Sequence, residues 1–167
     1  MSYAKLRTEL LTVREQRELR RVQTSKYLDQ TLVQLSLNLP GPNKLPPGAQ
    51  ELFNWGLRKV LELLPLVKTC SHGNDPLGPW ALMGTCQEPR LLKTQAIDIE
   101  VASPMCRLLD IDVYTQMGQQ IGRNELGLPA RSCLICEQPA VVCIRQQSHS
   151  SNELKVRIDE LLAPFRA

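Results

Sequence analysis

Aromatic side chains are scarce in this chain of 167 residues: two Trp, three Tyr and two Phe, 4% in all. Proteins that read bases stack them on aromatic faces, so sequence-specific RNA binding is disfavoured. An excess of one charge is also missing. The net charge of +3 and pI near 8.6 are too mild to coat a nucleic-acid backbone, although they leave room for a local basic pocket that takes a phosphorylated ligand. No segment approaches the roughly 20 apolar residues of a membrane span, and residues 1–7 carry no apolar stretch of signal-peptide type. The expectation is a cytoplasmic protein with neither a nucleic-acid nor a membrane partner. Histidine is confined to His72 and His149, and neither is visibly paired with a cysteine, so a thiolate nucleophile would lack its activating base.

What is present suits one ordinary core. The apolar fraction is 43% and the charged fraction 22%, both near globular averages, and residues 1–167 fit a single domain. Residues 4–28 lack Gly and Pro and predict a helix, although Arg14-Glu15-Gln16-Arg17-Glu18 interrupts its apolar stripe. Residues 31–39 alternate as a half-buried strand does, and Pro40-Gly41-Pro42-Asn43 stops them. Residues 46–64 predict a helix with Phe53, Leu57, Val60, Leu61 and Leu64 on one face. Two Gly and two Pro make residues 71–79 a loop. Residues 80–85, 94–101 and 108–114 read as three successive strands, the last two as an antiparallel pair. Residues 133–144 form a compact apolar stretch, and residues 152–162 a closing amphipathic helix. The fold class expected is α+β, a mixed or mainly antiparallel sheet flanked by helices.

Within Leu109-Asp110-Ile111-Asp112-Val113 the two aspartates are two positions apart on a strand and share one face, with Cα atoms about 6.5 Å apart. Paired carboxylates can hold magnesium, whose preference for oxygen and for substrate phosphates suits phosphoryl or nucleotidyl transfer. Asp98-Ile99-Glu100 repeats the pattern, so Asp98 or Glu100 is expected to assist. The plain alternative is a strand with one wet face. Arg14, Arg17 and Arg21 recur at spacings of three and four and form a candidate phosphate-binding stripe, or else an exposed helix laced with Glu15 and Glu18. Arg107 precedes the aspartates, Arg131 precedes a cysteine cluster, and Lys44 follows a turn.

Six cysteines, at 70, 86, 106, 133, 136 and 143, are expected as reduced thiols or metal ligands in a cytosolic chain. Cys133-x2-Cys136 has knuckle spacing, and Cys143 and His149 complete a possible structural zinc set. The intervals after Cys136 are irregular, and on spacing alone a packed core segment is preferred over zinc.

Taken together, Arg107-Leu108-Leu109-Asp110-Ile111-Asp112-Val113, Leu128-Pro129-Ala130-Arg131-Ser132-Cys133-Leu134-Ile135-Cys136-Glu137, Val142-Cys143-Ile144-Arg145 and His149 resemble the apo-citrate lyase phosphoribosyl-dephospho-CoA transferases, also called holo-citrate lyase acyl carrier protein synthases. Weaker resemblance runs through Arg14-Glu15-Gln16-Arg17, Pro40-Gly41-Pro42-Asn43-Lys44 and Phe53-Asn54-Trp55-Gly56. The family pattern has glycine just before the arginine of the aspartate motif, where this chain carries Cys106; a side chain there would crowd an approaching phosphate.

The resemblance implies a nucleotidyltransferase-like enzyme. It would transfer phosphoribosyl-dephospho-CoA from triphosphoribosyl-dephospho-CoA to a serine of the citrate lyase acyl carrier subunit, releasing pyrophosphate. Joined to the residue pattern, it gives Asp110, Asp112 and Arg107 as catalytic residues. Asp110, Asp112, Asp98 and Glu100 become metal ligands, and Arg131, Arg14, Arg17 and Lys44 phosphate contacts. The rival readings are a non-enzymatic module that docks a carrier protein, and a related transferase serving a malonate decarboxylase carrier.

Overall fold

Alternating residues of Thr31–Leu37, strand β1, are apolar on one side and mixed on the other, and the chain lays a sheet around it. The computed structural model describes residues 3–28, 30–64 and 66–166. β1 is flanked by β3 (Gly78–Thr85) and β4 (Leu109–Tyr114); β2 (Thr69–Asp75) and β5 (Gln120–Ile121) take the two edges, giving the order β2-β3-β1-β4-β5 with every pairing antiparallel. Among the described residues five α-helices complete an α+β fold: α1 (Tyr3–Leu28), α2 (Ala49–Leu63), α3 (Pro89–Val101), α4 (Ala140–Gln146) and α5 (Ser151–Leu162).

Directly paired residues of antiparallel strands share a face, so the register sorts the side chains. Val33, Leu35, Leu37, Ala81, Met83, Leu109, Ile111 and Val113 fall on one face and form the main core with Leu52, Phe53 and Val60 of α2, Leu92 and Ala96 of α3, and Ile158, Leu161 and Leu162 of α5. Asp110 pairs with Ser36 and Asp112 with Gln34, which puts the aspartates on the opposite face beside a smaller cluster of Leu32, Trp80, Leu82 and Tyr114. β1 is therefore covered on both faces, not half-buried as its alternation suggests.

Helix α1 reaches this second face through charged side chains. Arg20 lies 4.2 Å from the centroid of the Trp80 ring and Arg21 4.1 Å from that of Tyr114, arrangements in which a cation meets the negative face of an aromatic ring. Arg17 grips the β2–β3 turn through Asp75 at 2.7 Å and the Gly78 carbonyl at 2.8 Å. The apolar gap at residues 14–18 does not break the helix; it is where polar anchoring replaces apolar packing.

Three expectations are overturned. Residues 94–101 are not a strand but the second half of α3, and β4 pairs with β1 and β5 instead of with them. The alternation Ile97-Asp98-Ile99-Glu100 fits either period over so short a run. The deciding signal lies upstream, where Pro89 opens the helix and the Glu88 carboxylate accepts from the N–H groups of Arg90 and Leu91. The buried set Leu92, Lys93, Ala96, Ile97 and Glu100 then follows the helical repeat.

Residues 71–79 are not a loop: they fold as β2 and the start of β3 around a Pro76-Leu77 turn. An edge strand tolerates Gly and Pro where a central strand would not, and Gly73 leaves room for the Trp80 ring, whose Cζ2 would stand 3.3 Å from a Cβ there. Residues 133–144 divide into a tight loop and the short helix α4. The expected helices at 46–64 and 152–162 form as α2 and α5, the latter opened by a reciprocal Ser150–Glu153 capping box. No helix among the described residues is long and apolar enough to cross a membrane.

Gly48 shows how closely α2 meets α5. Its φ of +89° is left-handed, and a Cβ would stand 2.8 Å from the Leu162 carbonyl oxygen, whereas Gly41, with φ of +86°, has nothing within 4 Å. Gly41→Ala is expected to cost about 1 kcal/mol from backbone strain alone, and Gly48→Ala about 2–3 kcal/mol because the clash adds to it. Urea unfolding of both variants checks this; equal losses would contradict the α2–α5 contact.

Candidate active site

The outer edge of β4 is open at Ile111, because β5 pairs only with Val113 and Tyr114. Helix α3 closes that edge with side chains. The Ile111 N–H donates to Glu100 Oε1 at 2.9 Å, and the Ile111 carbonyl accepts from the Lys93 ammonium. Lys93 and Glu100 are seven positions apart, two helical turns, so they stack on one stripe and span the two backbone groups that a neighbouring strand would have paired.

Glu100 is 2% exposed. A carboxylate so deeply buried needs compensating cations, and it has two: Arg131 at 2.7 Å and Arg123 at 3.1 Å. Arg131 goes on to reach Asp110 at 3.3 Å and the Leu109 carbonyl at 3.3 Å. Asp112 accepts from the Gln120 amide at 2.7 Å. Lys93, Asp110, Asp112, Gln120, Arg123 and Arg131 thus converge on one cleft of about 380 Å³. A second cleft of about 380 Å³ shares Glu100, Arg123 and Arg131 with it and adds Arg107.

Asp110 and Asp112 hold protons more tightly than ordinary aspartates. Burial, and then the charge of Asp110, push Asp112 up to about 6, against the pull of Lys93 and the Gln120 amide. Burial also raises Asp110, with Arg131 opposing. Asp110 nevertheless keeps 40% of its side chain exposed, so solvent at the cleft mouth screens part of this effect. Two crowded carboxylates on a strand face form a hard-oxygen donor set that gains from a further cation.

The remaining expected residues are scattered. Asp98 is exposed, because helix rather than strand separates it from Glu100 by about 200° of rotation, and it lines neither cleft. Arg107 donates to the Ser132 hydroxyl at 3.1 Å and to the carbonyls of Ser132 and Cys133. Arg17 is committed to Asp75 and Arg21 to Glu18. Lys44 donates to the Leu39 carbonyl, and burial followed by the nearby Arg14 charge lowers its pKa. Arg14, Arg17 and Lys44 line neither cleft. Cys106 does not crowd the site: its side chain is 1% exposed within the main core, with its sulfur 3.0 Å from the Ser103 hydroxyl.

Lys93, Gln120 and Arg123 belong to no motif in the sequence. The Glu88-Pro89 helix start was the available signal for Lys93, since it sets the stripe that Lys93 shares with Glu100. Gln120 opens, and Arg123 follows, a strand of two residues that is too short to leave a pattern. Cys133, Cys136, Cys143 and His149 converge, with one donor atom from each lying within 4.8 Å of all the others, as a group that can hold a metal ion. Cys70 has its side chain outside the described residues.

Paired strand carboxylates faced by arginines are compatible with an enzyme that moves phosphate-bearing groups, and by its family match the chain is a transferase. The family model described as apo-citrate lyase phosphoribosyl-dephospho-CoA transferase matches residues 6–165, and the chain belongs to that family. Proteins carrying the same name are similar over most of their length. One from Escherichia coli O139:H28 is 33% identical across 92% of this chain and 86% of its own; one from Shigella boydii serotype 18 is 32% identical over the same shares.

The raised pKa of Asp112 has a sign that can be checked. Its folded value of about 6 lies above the ordinary 3.8, so between about pH 4 and 6 the folded state binds more protons than the unfolded chain and stability falls as pH rises through that window. In protein stripped of metal, Asp112→Asn should gain on the wild type from about pH 4 to pH 7, by on the order of 1 kcal/mol after solvent screening. Urea denaturation in chelator gives the difference; a gap independent of pH would contradict the assignment.

Proposed function

We propose that this chain transfers phosphoribosyl-dephospho-CoA from triphosphoribosyl-dephospho-CoA to a serine hydroxyl of the citrate lyase acyl carrier subunit, releasing pyrophosphate. The observation that carries this reading is Arg131, which bridges buried Glu100 to Asp110 at the mouth of the cleft. The family's name supports apo-citrate lyase as the acceptor and phosphoribosyl-dephospho-CoA as the group transferred. The arrangement supplies a way to handle a triphosphate.

Asp110 and Asp112 would hold magnesium, which fits their oxygen donors and, when bound, supplies positive charge to the attacked phosphate and the departing pyrophosphate. Arg131 holds the donor's phosphate oxygens with a guanidinium fork already oriented by Glu100. Arg123 and Arg107 extend that cationic wall into the adjoining cleft. Lys93 stands behind the aspartates and tempers their repulsion. Glu100 is engaged on both oxygens, so it serves as a positioning residue and not as a metal ligand.

In the transfer the carrier's serine oxygen forms a bond to the innermost phosphorus of the triphosphate. Its proton passes to a carboxylate of the pair, and the bond to pyrophosphate breaks with its electrons leaving on pyrophosphate. The nucleophile belongs to the carrier, so this chain need not provide one.

Incubation with apo-carrier, donor and magnesium should add the mass of the prosthetic group to the citrate lyase carrier. Asp112→Asn should abolish the labelling while the protein stays folded, and Arg131→Lys, which keeps the charge but loses the fork, should slow it about 10- to 100-fold. Mass spectrometry reads both. A fully active Asp112→Asn would overturn the metal assignment, and labelling of a malonate decarboxylase carrier in place of the citrate lyase carrier would overturn the acceptor.

A further inference from the structure

Between Ile121 and Ile158 only two residues are buried, Cys133 and Cys143. Helix α4 has seven residues, and Cys143 is the only one of them buried, while Val141 and Ile144 remain exposed. The segment is nevertheless well formed. It makes an antiparallel bridge between Ser132 and Pro139, with the Cys133 N–H donating to the Gln138 carbonyl at 2.7 Å and the Ala140 N–H to the Arg131 carbonyl at 2.8 Å. Apolar burial accounts for only part of that order, because Leu134, Ile135 and Val142 are no more than partly buried. Small units without a core are held by disulfides or by metals.

We propose that Cys133, Cys136, Cys143 and His149 form a closed structural zinc site that braces the loop delivering Arg131 to the active-site cleft. The four residues come from a tight turn, the body of α4 and the link to α5. Tetrahedral zinc with three thiolates and one imidazole sets its donor atoms about 3.5–3.8 Å apart. Here Cys136 Sγ is 3.5 Å from Cys143 Sγ and 3.3 Å from His149 Nε2, and one donor atom from each of the four residues lies within 4.8 Å of the others.

The local backbone is shaped to the same end. The Ile135 N–H points at Cys133 Sγ at 3.5 Å, the turn in which a cysteine knuckle presents N–H groups to its own ligand sulfur. At the far end Gln147 adopts a left-handed φ of 50°, and the Ser148 N–H returns to the Cys143 carbonyl at 3.1 Å. This closure of α4 carries His149 back towards the thiols.

Charge supports the assignment independently. Three thiolates and one neutral imidazole around a divalent ion leave the site at −1. Two guanidiniums sit against the knuckle: Arg107 on the Ser132 and Cys133 carbonyls and Arg157 on the Leu134 carbonyl at 3.2 Å. A disulfide between Cys136 and Cys143 would join two of the four donors and leave Cys133 and the imbedded His149 without a task. Packing as small hydrophobes explains Cys133 and Cys143 but not an imidazole nitrogen among three sulfurs.

The site does not depend on the proposed reaction. Protein purified without added metal should contain about one equivalent of zinc and no disulfide, and replacing zinc by cobalt should give the intense thiolate-to-cobalt absorption and visible bands of a tetrahedral site. Asp112→Asn should keep the full equivalent although it cannot label the carrier, whereas Cys136→Ser should lose most of it.

If the Cys136→Ser chain does not fold, mercurial titration of the wild type should release one zinc as three thiols are modified. Absence of stoichiometric zinc with freely titrating thiols, or a Cys136–Cys143 disulfide in the purified protein, would overturn the proposal. Zinc in a protein that fails to label the carrier would leave this site standing and remove only the proposed reaction.

Discussion

Glu100 is the residue on which the rest of the structure turns. Its carboxylate is almost entirely out of water, and an unpaired charge in that position would cost several kcal/mol. One oxygen closes the exposed edge of β4 at the Ile111 N–H, and together the two oxygens hold the guanidiniums of Arg123 and Arg131. A single side chain thereby joins α3 to the sheet and fixes the cations that face the aspartates. Removing it would free an edge N–H, leave Arg123 without its carboxylate and leave Arg131 with Asp110 alone, so the fold and the site share one constraint.

The two faces of the sheet divide the labour. Apolar residues of β1, β3 and β4 meet α2, α3 and α5 on one side and supply the burial that holds the chain together. The other side is held more by polar contacts: Arg17 on Asp75, Arg20 over Trp80 and Arg21 over Tyr114. That leaves Asp110 and Asp112 uncapped at the β4 end, beside a cleft instead of beneath a helix. A face covered incompletely leaves the two carboxylates of β4 open to a cleft.

Much of this was legible in the sequence. Asp110 and Asp112 share a face because the strand period is two, and that needed only Leu109, Ile111 and Val113 between and around them. The helices at α2 and α5 followed from apolar spacing. Residues 94–101 misled because Ile97-Asp98-Ile99-Glu100 alternates like a strand, and Glu88 and Pro89, which settle the matter, lie outside the window. That one error gave Asp98 a place beside Glu100 that helical rotation denies it, and it hid Lys93. The edge strand β2 was hidden by Gly73, Pro76 and Gly78, residues that argue against strand everywhere except at an edge or a turn. The convergence of Cys143 and His149 on Cys133 and Cys136 depends on the closing turn at Gln147, which spacing does not encode.

The central claim is that Asp110, Asp112 and the arginines ordered by Glu100 act as one charge-balanced centre for a triphosphate. Calorimetric titration of the protein with triphosphoribosyl-dephospho-CoA, with and without magnesium, tests it most directly. Binding should require magnesium and weaken about tenfold or more in Arg131→Ala, since a bidentate charge-assisted contact is lost. Equal affinity without the metal, and in that variant, would contradict the account.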